Sequence, residues 1–148
     1  MSRFTTAASI IVLIVLLVAC GKTPEEEFVE NAKWADIEEI RSSLEAGMSP
    51  DAMDGAGRTV LMHAASRGRA DVAKLLLSKG ANVNLSDETG KTALMYAAEL
   101  GQTDIAQLIM REHADMNARN NKGETAVELA LKGGHTDMVQ LLRMAGAK

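Results

Sequence analysis

The chain has 148 residues, 47% of them hydrophobic but only 3% aromatic, with one cysteine and a net charge of −4. That length can bury a core by apolar packing, while a lone cysteine excludes a disulfide framework or a cysteine-based zinc site. The acidic balance argues against a general nucleic-acid binder.

Residues 1–20 read as an export leader. Arg3 supplies the positive start, and Ala7 to Ala19 is an uncharged, mostly apolar run of thirteen residues. Such a run fits the ~7–15 residues of a signal core and falls short of the ~20 that span a bilayer as a helix. It closes on Leu17-Val18-Ala19-Cys20, which resembles the processing box of bacterial lipoproteins. The resemblance implies that residues 1–19 are a cleaved signal peptide and that Cys20 becomes a lipid-bearing N-terminus. It would account for an odd cysteine in an exported protein. The alternative is an uncleaved N-terminal anchor with an incidental cysteine. Gly21 stands where an aspartate would resemble an inner-membrane retention signal, so the expected location is the outer membrane, facing the periplasm. Residues 20–27 then form the lipidated N-terminus and a tether, in which Gly21 to Glu27 reach roughly 25 Å at most. Within it, Glu25-Glu26-Glu27 reads as the solvated start of a helix, because acids are favoured in a first turn.

In residues 28–53, Phe28, Trp34, Ile37, Ile40 and Leu44 are predicted to be the inward face of a capping helix pair, with Trp34 serving packing first and contact second. Beyond them, seven positions recur every 33 residues. Gly57, Gly90 and Gly123 are in step, as are Thr59, Thr92 and Thr125, then Ala64, Ala97 and Ala130. Gly68, Gly101 and Gly134 follow, then Asp71, Asp104 and Asp137, and two apolar positions led by Leu75, Leu108 and Leu141. A fixed period of this size means stacked units, each burying its apolar face against its neighbours. The units are 54–86, 87–119 and 120–148. Such stacks usually present an extended surface rather than a catalytic pocket.

In the first of these units, Thr59 to Arg67 is predicted as a first helix with threonine at its N-cap, and Ala64-Ala65 allow close approach of neighbours. Asp71 to Ser78 is the second helix, with Val72, Leu75 and Leu76 on one buried stripe. Gly80 suits the left-handed residue that ends it. The next unit has His113 there, a local weakness rather than a metal ligand, since His63 and His135 show no ligand spacing with it. Thr125 and Glu128 make a capping box, which Met62 and Met95 cannot complete in the earlier units. The methionines read as adaptable core filler, with an oxidation sensor as the sharper alternative. Because no polar helix follows Gly146-Ala147, the last unit is expected to close the stack itself, with Gln140 and Arg143 among Met138, Leu141 and Leu142.

Asp54-x-x-Gly57-x-Thr59-x-Leu61, Ala64-Ala65-x-x-Gly68, Leu75-Leu76-Leu77 and Gly80-Ala81-Asn82-Val83-Asn84 together resemble the ankyrin repeat. Asp87-x-x-Gly90-x-Thr92-x-Leu94 repeats the pattern, and Gly133-Gly134-His135 matches the family's Gly-His step. Asn31 to Pro50 resembles a divergent first copy. The family's Thr-Pro-Leu-His lacks its proline here, as Thr59-Val60-Leu61-Met62 shows. The resemblance covers about residues 28 to 148 and implies an all-α ankyrin-repeat solenoid of about four repeats, helix-turn-helix units joined by hairpin loops.

Ligands of proteins resembling this one contact the hairpin tips and the exposed side of the first helices. The matching positions are Gly55, Ala56, Arg58, Ser66 and Arg67; then Ser86, Glu88, Thr89, Lys91, Glu99 and Leu100; then Arg119, Asn121, Lys122, Glu124, Lys132 and Gly133. Six cations outnumber three acids on this face, on an acidic protein. The expected partner is therefore an acidic protein, with Arg67 and Leu100 as central contacts. An anionic lipid headgroup ranks lower, and ordinary solvated side chains are the bland alternative.

No Gly-rich phosphate loop, Cys/His nucleophile pairing or zinc spacing appears, so no cofactor, metal or catalysis is expected. Asp51 and Asp54 look like a carboxylate pair but sit where aspartate serves a turn. The expected function is a monomeric, non-enzymatic, lipid-anchored interaction module in the periplasm. It would be an immunity-type inhibitor of a toxic envelope enzyme such as a phospholipase. Alternatives are an accessory protein of an envelope or stress enzyme such as a catalase, or a structural envelope lipoprotein.

Overall fold

The computed structural model describes residues 21–147. The expected leader, its lipid-bearing Cys20 and the final Lys148 lie outside the described residues. Among those described are eight helices in four antiparallel pairs. They are α1 (Pro24–Ala32) with α2 (Ile37–Glu45), α3 (Val60–Arg67) with α4 (Ala70–Ser78), α5 (Ala93–Glu99) with α6 (Thr103–Arg111), and α7 (Ala126–Lys132) with α8 (Thr136–Met144). Isolated bridges between Met53 and Thr59 and between Ser86 and Thr92 close two of the hairpins. This is the all-helical solenoid the repeat pattern implies.

The helices stack in two rows. First helices α3, α5 and α7 lie against one another, and second helices α2, α4, α6 and α8 form the outer row. Small side chains bring the inner row together: Ala65, Ala97, Ala98 and Ala130 are fully buried between helices. In the outer row, Val72, Leu75 and Leu76 form the predicted stripe. One continuous core runs from Phe28 and Val29 through Leu76, Leu94 and Ile109 to Met138 and Leu142. Each large side chain buried there contributes ~1.5–3 kcal/mol from leaving water.

The caps follow the threonines. Oγ1 of Thr59 accepts from the Met62 amide at 3.3 Å and Oγ1 of Thr92 from the Met95 amide at 3.4 Å. Only Thr125, of these three, receives a reciprocal bond, its amide donating to Glu128 at 2.7 Å. Met62 and Met95 instead turn their side chains into the core. Gly80 has the expected positive φ of 83°, and His113 takes φ 59° at the same register. It is the only non-glycine with positive φ among the described residues.

The structure departs from expectation at three places near the N-terminal pair. Helix α1 begins at Pro24, inside the stretch expected as tether, leaving only Gly21 to Thr23 ahead of it. A second capping box, Thr23 with Glu26, and proline at the first helical position start it there. Trp34 is not part of the capping face. Helix α1 ends at Ala32, so Trp34 falls in the turn to α2, off the helical stripe, and is 81% exposed. Phe28, Ile40 and Leu44 are buried as expected, and Ile37 packs at the core's edge. In the next pair, α4 begins at Ala70 rather than Asp71.

At the far end, Leu131 is 53% exposed, while Ala65 and Ala98 at its register are covered by the following unit. No helix of the described residues is long and apolar enough to cross a membrane.

Candidate interaction face

Each hairpin is organised by one side chain, at positions 54, 87 and 120. Asp54 Oδ1 accepts from the amides of Ala56 and Arg58, both at 3.0 Å. Asp87 Oδ1 accepts from the amides of Thr89 at 2.8 Å and Lys91 at 3.0 Å. Asn120 Oδ1 accepts from Lys122 at 2.9 Å and Glu124 at 3.0 Å. These are the turn-serving bonds expected of Asp54. Asp51 likewise accepts the Asn82 amide of the next unit at 2.7 Å. Adjacent hairpins are tied together, the Glu88 amide donating to Ala56 at 3.2 Å and the Asn121 amide to Thr89 at 3.0 Å.

The second oxygen of each aspartate meets a donor nine residues on. His63 Nε2 lies 2.9 Å from Asp54 Oδ2, and Tyr96 Oη donates to Asp87 Oδ2 at 2.5 Å. At the third hairpin that register holds Leu129, which offers no donor. Asn120 replaces the aspartate, and its Nδ2 donates to Glu124 at 2.9 Å instead. A buried carboxylate oxygen without a donor is costly, so the turn residue follows its partner. Sequence reasoning missed this coupling, although the pairs Asp54/His63, Asp87/Tyr96 and Asn120/Leu129 stand at one spacing in the repeat.

The electrostatics follow from the bonds. Burial pushes the Asp54 carboxyl up, but the His63 bond and the Arg58 and Ala56 amides outweigh it and hold it at about 2. Burial pushes the His63 imidazole down, opposed by Asp54 and assisted by Lys33 and Arg67. Burial and the Asp87 acceptor push the Tyr96 hydroxyl up to about 12. His63 is therefore neutral at neutral pH. Its Nε2–H donates to the ionised Asp54, which leaves Nδ1 to accept from Arg67 Nη1 at 3.4 Å.

Most cations of the expected face are engaged within the chain. Arg58 lies 3.6 Å from Asp87 and over the Tyr96 ring. Lys91 pairs with Glu99 at 2.6 Å, and Lys132 pairs with Glu124. These two pairs occupy one register with the charges exchanged. Arg119 donates to the Gly123 carbonyl at 2.5 Å and lies 3.9 Å from Glu128. Glu88 and Lys122 are exposed at the hairpin tips.

Arg67 differs. Its guanidinium lies 4.7 Å above the Trp34 ring, and no carboxylate among the described residues comes within 4.0 Å of it. Trp34, Arg67, Leu100 and Gly133 share one register, at the end of successive first helices. Leu100 is 46% exposed. Gly133 must stay bare: a Cβ there would come within 2.6 Å of the Glu99 carbonyl and of His135, whose Nε2–H donates to that carbonyl at 3.0 Å. The face thus carries a short ridge of indole, guanidinium and isobutyl group. Among the described residues, no cluster of His, Cys, Asp and Glu could hold a metal ion.

The family model for ankyrin repeats matches residues 28–120 in three copies. Comparison with curated proteins found no match.

Proposed function

Because the chain belongs to the ankyrin-repeat family, whose repeats mark a protein–protein interaction module, we propose that it is a lipid-anchored inhibitor in the periplasm. Its ridge-bearing face would cover the active site of a toxic envelope enzyme, such as a phospholipase. The observation that carries this reading is the ridge itself: exposed Trp34 and Leu100 flank an arginine that has no acidic partner among the described residues. Exposed aromatic and arginine side chains are the strongest anchors of protein interfaces. A second observation favours an occluding role at a membrane. With α1 starting at Pro24, a lipid on Cys20 holds the repeat stack almost against the bilayer surface, where a lipid-cleaving enzyme works.

The test is affinity capture with the full chain from its own envelope extract, beside the Arg67→Glu/Leu100→Asp variant, read by mass spectrometry. One stoichiometric partner, lost with the variant and blocked in its activity by the full chain, supports the proposal. A partner whose activity is raised supports an accessory role instead, and a partner indifferent to the variant removes the assigned face. Labelled fatty acid incorporated by the full chain, but not by Cys20→Ser, tests the anchor.

A further inference from the structure

We propose that His63 is a proton switch for the ridge: when its imidazole is protonated, Arg67 leaves the Trp34 indole and the ridge comes apart. The switch belongs to the chain's own geometry, and only its effect on a partner rests on the interaction-face reading.

Neutral His63 holds the arrangement at two atoms. Its Nε2–H donates to Asp54 Oδ2 at 2.9 Å, and its bare Nδ1 accepts from Arg67 Nη1 at 3.4 Å. The second bond steadies a guanidinium that lies 4.7 Å from the centre of the Trp34 ring. A further proton can go only to Nδ1, because Nε2 already carries one. Nδ1 then becomes a donor facing a donor, and the imidazolium a cation facing a cation. His63 is buried, so little water screens the two charges.

The surroundings decide which group moves. Asp54 is fixed, since Oδ1 binds the Ala56 and Arg58 amides and Oδ2 lies 3.5 Å from Lys33 as well as beside His63. Lys33 is fixed by Glu30 at 2.6 Å. Protonation puts three cations, Lys33, His63 and Arg67, around the single carboxylate of Asp54. Arg67 is the exposed one, and no carboxylate among the described residues holds it. It is therefore the group that swings into water.

The other charges around α3 do not titrate in the same range. Helices α4 and α5 pack against it. Beside α4, Arg69 lies 4.0 Å from Asp71; on α5, Glu99 pairs with Lys91, and Tyr96, pushed up to about 12, stays protonated. Asp54, held at about 2, and Glu30, held below the usual carboxylate range by Lys33, are already ionised. Burial lowers the His63 imidazole, so the ridge is assembled near neutral pH and disperses below about pH 6.5.

Trp34 is the only tryptophan in the chain, so its indole N–H gives one NMR cross-peak. The test follows that peak and the His63 ring in the full chain in mild detergent, from about pH 7.5 to about pH 5. Backbone amide peaks in the same spectra show whether the fold persists. The indole peak should shift in one step, at the His63 midpoint, while the backbone stays folded. His63→Leu/Asp54→Asn, the pairing already present at the third hairpin, should abolish the step. Because the two cations oppose each other, Arg67→Gln should raise the His63 midpoint and flatten the indole step. Should the double variant unfold, Arg67→Gln decides alone. An indole peak that does not move, or moves equally in the double variant, overturns the inference. So does a step that coincides with loss of the folded backbone spectrum, or a His63 midpoint that Arg67→Gln leaves unchanged. If the switch holds while envelope capture ignores Arg67, the switch stands and only the assigned interaction face is wrong.

Discussion

Along the hairpin side of the repeats, Arg58, Lys91 and Lys132 are matched by Asp87, Glu99 and Glu124; at the far end of the first helices, Arg67 is matched by the Trp34 indole. Both rows obey the same period, and the sequence groups their charges into one cationic face. One has its polar groups tied into the turns that hold the units in register, and the other leaves a charge facing outward. Charge counted on a face is therefore a poor measure of charge available to a partner, because Glu99 and Glu124 on the same face, and Asp87 and Glu128 beside it, answer most of it.

Substitutions should separate the rows. Asp87→Ala removes the acceptor of the Thr89 and Lys91 amides and of Tyr96, and should cost about 3 kcal/mol in denaturant unfolding. Trp34→Ala, on an exposed ring, should cost less than about 0.5 kcal/mol. Equal costs would erase the distinction between a row that holds the stack and a row that meets a partner.

Acid should attack the hairpin row selectively. With its folded pKa near 2, Asp54 contributes stability that is complete above its unfolded value and is lost as pH falls from about 4 toward 2. The loss should be about 1–2 kcal/mol, since each tenfold change in proton affinity on folding is worth about 1.4 kcal/mol. His63, whose folded pKa is depressed, acts in the same direction: the unfolded imidazole protonates first, so stability begins to fall below about pH 6.5. Unfolding curves across this range should decline for the natural chain and more gently for His63→Leu/Asp54→Asn, which reproduces the pairing of Asn120 with Leu129.

A smaller effect lies in the outer row. His113 occupies the left-handed position that Gly80 fills one unit earlier. His113→Gly should raise stability by about 1 kcal/mol, visible as a higher melting temperature. A fall would mean that the Asn84 bond to the His113 carbonyl, at 3.4 Å, depends on the histidine.

The architecture was legible because it is written in short-range signals repeated at one lag. Threonine caps, alanine pairs and glycines at positive φ each specify local geometry, and 33-residue recurrence links them. Trp34 was misplaced because apolar character alone assigned it to the core, whereas the end of α1 at Ala32 decides which way it faces. The same lag that found the repeats also places Trp34 with Arg67 and Leu100, a relation visible only once the N-terminal pair is counted as a unit. Glu25, Glu26 and Glu27 do mark the first turn of α1, which begins one residue earlier at Pro24 because Thr23 caps it. The bonds that neutralise Arg58, Lys91 and Lys132 were illegible, since side-chain pairing across a turn depends on rotamers that composition does not record.

The most direct measurement is the affinity of the captured partner for the natural chain, Arg67→Gln and Lys91→Gln, under one salt condition. The account predicts a loss of about tenfold or more for Arg67→Gln and less than about threefold for Lys91→Gln, whose charge already belongs to Glu99. A larger loss for Lys91→Gln than for Arg67→Gln would contradict it.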